Sequence, residues 1–108
     1  MANADGFDEG LSHLLELVRG RWRIRIIRQL LDGPQRPGSL ARALRTVAKN
    51  RLHQNLRELE KLGVVRRKAY EGRVPRVEYS LTPLGASLKP VVESLSAWGQ
   101  RHGRLLAR

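Results

Sequence analysis

The 108-residue chain carries 21 Lys and Arg against 10 Asp and Glu, a formal net charge of +11, and contains no cysteine. Disulfides, thiolate chemistry and cysteine-ligated zinc are therefore excluded, and no run of about 18 apolar residues offers a membrane span. The acidic start, MANADGFDEG, lacks the apolar stretch of a secretory leader, so the expected location is the cytoplasm, in association with the nucleoid.

Residues 1–10 read as a flexible N-terminal tail, with Asp8 placed to cap the first helix, and 11–108 read as one domain. A domain of this size holds a single small core and leaves much surface exposed, so a partner subunit would add useful burial. Leu11, Leu14, Leu15 and Val18 recur at helical spacing and predict a short amphipathic helix ended by Gly20. In Trp22–Leu31 the spacing of Trp22, Ile26 and Leu30, widened by Ile24, Ile27 and Leu31, predicts the core helix, with Arg21, Arg25 and Arg28 on its remaining face. Asp32-Gly33-Pro34 ends it by turn chemistry, and Arg36-Pro37-Gly38 leaves room for at most a brief extended piece. Ser39–Leu44 reads as a short helix with Leu40 and Leu44 turned inward.

The next stretch, Val47–Leu62, organises the rest. Leu52, Leu56 and Leu59 stand at i, i+4 and i+7 and form one apolar stripe, which must be buried. The opposite face carries Asn50, Gln54, Arg57 and Lys61, flanked by Arg51 and His53, so almost everything turned to solvent donates hydrogen bonds. Such a helix is equipped for base edges and phosphates in a major groove, where Arg suits guanine and Asn or Gln suits adenine. A basic outer face is also the ordinary state of a solvated helix, and its surroundings decide between the two. Between Arg36 and Arg76 there are twelve basic residues and three acids, Glu58, Glu60 and Glu71, a local charge of +9. Localised charge of this kind implies a polyanionic partner, nucleic acid before membrane surface. Two helices a few residues apart, the second polar and basic outside, make a helix-turn-helix pattern.

After Leu62-Gly63 the period changes from 3.6 to 2. Val65, Arg67 and Ala69 alternate with Arg66, Lys68 and Tyr70, and Val77, Tyr79 and Leu81 alternate with Glu78 and Ser80, which predicts a hairpin. Its loop, 71–75, puts Arg73 near the tip and Arg76 at the start of the returning strand: a wing able to lie along a backbone or enter a minor groove. Thr82-Pro83 opens the last helix as cap and first residue. Leu84, Leu88, Val91, Leu95, Trp98, His102 and Leu105 then come in an a/d seam that predicts a dimer, and Pro90 should kink or restart the helix near Leu88–Lys89.

These features predict an α+β fold, mainly α: a winged helix-turn-helix with a C-terminal dimerisation helix at about 83–106. Asn50, Arg51, His53, Gln54 and Arg57 are the expected base-contacting residues, and Lys49, Lys61, Arg67, Arg73 and Arg76 the expected phosphate-neutralising ones. A small-molecule effector, held near Trp22, Tyr70 and Trp98, is a second expectation, although two Trp at helical spacing are more often core. A protein-contact module or a nonspecific nucleic-acid binder is the alternative reading. RNA fits less well because base-stacking aromatics are few. No enzyme, metal or cofactor is expected: His13, His53 and His102 are scattered and no Gly-rich phosphate loop comes after a strand.

Residues 14–102 resemble the HxlR-type winged helix-turn-helix regulators of bacteria, relatives of the MarR-like dimers. The matching words are Arg19-Gly20-Arg21-Trp22, Leu30-Leu31-Asp32-Gly33-Pro34, Leu52 with Leu56-Arg57-Glu58-Leu59-Glu60, Pro75-Arg76-Val77-Glu78-Tyr79-Ser80-Leu81-Thr82, Leu84-Gly85 and Trp98-Gly99. The resemblance adds an N-terminal dimerisation helix to the C-terminal one: it implies a homodimer paired through its first and last helices, with Leu11, Leu14, Leu88, Val91, Leu95 and Trp98 at the interface. It further implies a pseudo-palindromic double-stranded DNA operator, read by one basic helix per subunit. Two departures stand out. Many members sense oxidants through an N-terminal Cys near the position of Glu9, which this chain cannot do, so any signal must be a ligand or partner. The family often opens its recognition helix with Ser, where this chain has Ala48; Thr46 could cap one turn earlier.

Overall fold

A computed structural model describes residues 6–106. The chain runs α1 (Phe7–Val18), α2 (Arg23–Leu30), α3 (Pro37–Leu44), α4 (Lys49–Lys61), β1 (Val65–Tyr70), β2 (Arg76–Leu81), α5 (Pro83–Ala86) and α6 (Lys89–His102), closed by a 3-10 turn at Gly103–Leu105. This is the mainly helical α+β, winged helix-turn-helix arrangement expected. The core lies where α2, α3 and α4 meet: Ile26, Ile27, Leu30 and Leu40 pack with Leu52, Leu56 and Leu59, joined by Trp22, Val64, Val65, Tyr79 and Val92. At roughly 1.5–3 kcal/mol for each large apolar side chain fully buried, the three leucines are what fasten α4.

Several boundaries differ from the sequence reading. Helix α1 begins at Phe7, four residues before Leu11, so part of the expected tail is helical; Gly6 enters it at φ 79°. Asp8 is therefore not the cap but sits with Glu9 in the first turn, where their charges complement the positive end of the helix. Helix α3 starts at Pro37, two residues ahead of Ser39, because proline at the first helical position gives up only an N–H that would be orphaned there. The brief extended piece expected at 36–38 lies one residue earlier, as a single bridge at Gln35, whose N–H donates to the Tyr79 carbonyl (2.9 Å) and whose carbonyl accepts from the Tyr79 N–H (2.8 Å).

In the hairpin Val65 pairs with Leu81, Arg67 with Tyr79 and Ala69 with Val77, while Arg66, Lys68 and Tyr70 stand opposite Ser80, Glu78 and Arg76 on the other face. Thr82 then caps α5 as expected: its Oγ1 accepts from the Gly85 N–H (3.1 Å) and donates to the Gly63 carbonyl (2.7 Å). The turn Ser87–Leu88 separates α5 from α6, and Pro90 sits in the first turn of α6, where its missing N–H is harmless. This is the expected restart. Helix α6 gives the core Val92, whereas Val91, on the predicted seam, is only half-buried. Helix α1 buries no residue fully. The radius of gyration is 15.8 Å, against about 13 Å for a compact chain of this length, in keeping with terminal helices that are only partly covered.

Gly85 is the tightest point. A Cβ there would stand 2.1 Å from the Val64 carbonyl oxygen, whereas at Gly38 the nearest atom is 3.7 Å away. Gly85→Ala is expected to cost about 1–3 kcal/mol or more by overpacking, and Gly38→Ala to be neutral or stabilising by up to about 1 kcal/mol through helix propensity. Urea denaturation of both variants tests this; equal effects would mean that α5 does not press on Val64.

Candidate nucleic-acid interface

Helix α4 presents what its sequence promises. With Leu52, Leu56 and Leu59 inward, Asn50, Arg51, Gln54, Arg57 and Lys61 are exposed and His53 is half-buried at the edge. The helix starts later than expected, at Lys49, with Ala48 as an extended N-cap that supplies no side-chain hydrogen bond, and Thr46 does not substitute for it. The connecting turn is tight: Arg45 sits at φ 62° and ψ -71°, a γ-turn conformation rare for a non-glycine residue, closed by the Thr46 N–H donating to the Leu44 carbonyl (2.7 Å).

Charge is unevenly paired across the molecule. On α4 and the wing, Lys49, Arg51, Arg57, Lys61, Arg66, Arg67, Lys68 and Arg73 have no carboxylate within ion-pair distance among the described residues. The pairs that do exist are Arg19 with Glu16 (3.0 Å), Arg23 with Glu58 (2.9 Å) and Glu16 (3.8 Å), Arg28 with Asp32 (3.4 Å) and Arg76 with Glu78 (4.0 Å). The outer face of α4 and most of the wing thus keep their positive charge for an external anion.

Two clefts flank α4. On the wing side, His53 and Arg57 of α4 face Arg67, Val77 and Tyr79 of the hairpin, with Pro37 below, around about 300 Å³. Arg67 belongs there because its partner across the strands is Tyr79. Arg73 is exposed at the wing tip beside Val74, which is 74% exposed. Arg76 is less free than expected: its guanidinium lies 4.2 Å from the Tyr70 ring centroid, and the Tyr70 hydroxyl donates to Glu78 (3.3 Å).

The cleft on the other side, about 290 Å³, is lined by Arg19–Arg23, Arg51, Gln54, Asn55 and Glu58. Arg23, which the sequence reading passed over, organises it. Its guanidinium donates to the Glu16 carbonyl of α1 and, through Nη2, to Glu58 Oε1 (2.9 Å). The other carboxylate oxygen of Glu58 accepts from Gln54 Nε2 (3.3 Å). Arg23 holds the Glu58 carboxyl below its usual range, with Gln54 adding to the effect and desolvation opposing it. Asn55, also unforeseen, is 9% exposed and donates to the Arg51 carbonyl (2.8 Å). A signal for both exists in the sequence: Arg23 is in phase with Ile27 and Leu30, and Asn55 with Leu52 and Leu59. Polar residues on an apolar stripe need a built-in partner.

The expected effector residues do not come together. Trp22 is buried in the core, with the Arg21 and Arg25 guanidiniums 5.3 and 5.6 Å from its ring. Tyr70 lies on the outer face of the wing, and Trp98 is 53% exposed on α6, its ring 5.3 Å from that of His102. A groove of about 630 Å³ lies instead between α2, α3 and α6, floored by Ile24, Leu44, Val92 and Leu95 and edged by Arg25, Arg28 and Arg45. Of the expected dimer residues, Leu11, Leu95 and Trp98 are exposed, while Leu14, Leu88 and Val91 are half-buried. No helix among the described residues is long and apolar enough to cross a membrane.

Comparison with known proteins agrees with this geometry. Residues 17–105 match the model of the HxlR-like helix-turn-helix. The HTH-type transcriptional regulator YkvN of Bacillus subtilis is 41% identical over 93 residues, covering 86% of this chain and 79% of that protein. YtcD of the same organism is 39% identical over 88 residues, covering 82% and 70%. The structure of the redox regulator HypR in its reduced form superposes with a TM-score of 0.84 at 32% identity, over 90% of this chain and 96% of that one.

Because the Glu58 carboxyl is depressed in the folded state, its contribution to stability is present above the unfolded carboxylate pKa and is lost as pH falls through the lower folded value. Glu58→Gln should therefore be less stable than the parent at pH 7, by about 0.2–1 kcal/mol for so open a pair, and the gap should close below about pH 4. Denaturant titrations at both pH values measure it; a gap that grows in acid would contradict the assignment.

Proposed function

The chain belongs to the HxlR-like helix-turn-helix family, DNA-binding transcriptional regulators rather than enzymes, and from that membership we propose that it acts as a homodimer on a pseudo-palindromic operator. One basic helix per subunit enters a major groove, and the wing tracks the backbone or the adjacent minor groove. The observation that carries this reading is the set of eight cations on α4 and the wing without an internal carboxylate partner among the described residues, set around a helix whose other exposed residues, Asn50 and Gln54, carry amides. Arg51, Arg57, Asn50, His53 and Gln54 are the base-reading candidates, and Lys49, Lys61, Arg67 and Arg73 neutralise phosphates. Arg76 contributes less, being stacked on Tyr70.

Dimerisation is supported by exposed apolar side chains concentrated on α1, α5, α6 and the residues after α6, Leu62 and Val74 being the two that lie elsewhere: Phe7 and Leu15 on α1, Leu84 on α5, Leu95 and Trp98 on α6, and Leu105. Soluble monomers rarely leave so much large apolar surface open. The 108 residues hold no cysteine, so a thiol switch has no atom to work with. For a small-molecule effector, the arginine-edged groove between α2, α3 and α6 is the better-supported seat.

Selection of random duplexes by the purified protein at moderate salt is expected to enrich an inverted repeat with half-sites about one helical turn apart. Each phosphate contact adds about 0.9 to the slope of log K against log salt, so roughly ten contacts make binding fall by orders of magnitude between low and high salt. Arg51→Ala should relax sequence preference, whereas Arg73→Ala should weaken all duplexes nearly alike. Trp98→Glu should yield monomers in sedimentation. Enrichment of no motif, with binding that simply vanishes as salt rises, would favour a nonspecific binder or a protein-contact module.

A further inference from the structure

Gln54 is a reader whose direction has already been chosen. A free glutamine amide can turn by 180° and offer either its oxygen or its nitrogen to a base edge, so alone it discriminates poorly between donors and acceptors. Here Glu58, one turn further along α4, lies against it, with Nε2 of Gln54 3.3 Å from Oε2 of Glu58. An ionised carboxylate only accepts hydrogen bonds, so the amide nitrogen must face it and the amide oxygen must face away. Glu58 is itself anchored, its second oxygen accepting from Arg23 at 2.9 Å. Arg23 in turn is fixed to α1 through the Glu16 carbonyl, and its side chain is only 14% exposed.

We propose that Glu58, positioned by Arg23, holds Gln54 with its amide oxygen outward, so that the base facing Gln54 in each half-site must present an exocyclic amine to the major groove: adenine first, cytosine second. Adenine offers the N6 amine and, at N7, an acceptor for the remaining amide hydrogen. Cytosine offers the N4 amine alone. Guanine and thymine turn O6 and N7, or O4, toward an oxygen that cannot donate, and are disfavoured. This inference rests on the placement of α4 in the major groove, and it makes Glu58 a positioning residue that sets specificity with no need to touch a base.

The test begins with the duplex selected by the full-length protein. The position whose preference disappears in Gln54→Ala is located, all four bases are placed there, and affinities are measured for the parent and for Glu58→Gln, whose fold is checked by circular dichroism and denaturation. The parent should favour adenine, then cytosine, over guanine and thymine by on the order of tenfold to a hundredfold. A Gln at position 58 can donate as well as accept, so in that variant the amide is free to turn. Discrimination should fall to within about threefold while binding to the adenine site is retained. The inference is overturned, and the DNA-reading function left standing, if the parent prefers guanine or thymine at that position. It is likewise overturned if Gln54→Ala changes no position, or if Glu58→Gln keeps full discrimination. Failure to enrich any duplex would instead remove the major-groove placement, and the inference with it.

Discussion

Everything that faces outward on α4 depends on the three leucines that face inward. Leu52, Leu56 and Leu59 are 1% exposed or less and meet Ile26, Ile27, Leu30 and Leu40 from α2 and α3. Their burial is enough to hold the helix without help from its polar side chains. That separation lets the outer face consist almost wholly of donors. Had α4 needed salt bridges to stay in place, its cations would have been consumed; instead Glu58 directs its charge to Arg23, off the helix, and leaves Arg51, Arg57 and Lys61 unpaired.

The N-terminal end of α4 shows the same independence from local support. Ala48 gives no side-chain cap, which costs about 0.5–2 kcal/mol relative to Ser, Thr, Asn or Asp in that position. The turn before it also holds Arg45 at a positive φ. Both are tolerable only because tertiary packing, not local propensity, supplies most of the stability of helices in folded proteins. The first-turn N–H groups, together with Lys49 and Arg51, then add to the positive potential at the end of the helix.

How much of this could be read from the chain depended on whether apolar periodicity carried it. The stripe of α4, the alternation of the wing and the Thr82-Pro83 start of α5 are periodic or stereochemical signals, and each reappears in the structure at or near its predicted place. The Gln35–Tyr79 pairing is a single residue long and leaves no period to detect. The early start of α1 at Phe7 was hidden because Gly6 and Asp8 read as tail residues. Tyr70 was misgrouped with the tryptophans by its aromaticity, although its parity in the strand, opposite to that of Val65, already put it on the outer face with Arg76. Arg23 and Asn55 were legible only as exceptions to an apolar stripe, and nothing in spacing names the partner such an exception requires.

The unfinished part of the surface lies at the terminal helices. The seam expected from Leu84 to Leu105 is divided in the structure: Pro90 restarts the helix where its chemistry predicts, Val92 turns to the core, and Leu95 and Trp98 remain outside. Helix α6 therefore divides its apolar residues between closing its own domain and offering a face to another, a division that a core of a dozen residues forces on so short a chain. Helix α1 is more extreme, with Leu17 packed against the core, Phe7, Leu11 and Leu15 exposed, and no residue fully buried. Yet α1 is not independent of the reading face. Arg23 hydrogen-bonds the Glu16 carbonyl near the end of α1 and the Glu58 carboxylate on α4 with one guanidinium. A shift of α1 must move that guanidinium or break one of its bonds, and either event is felt at Glu58 and so at Gln54, one turn away on the outer face.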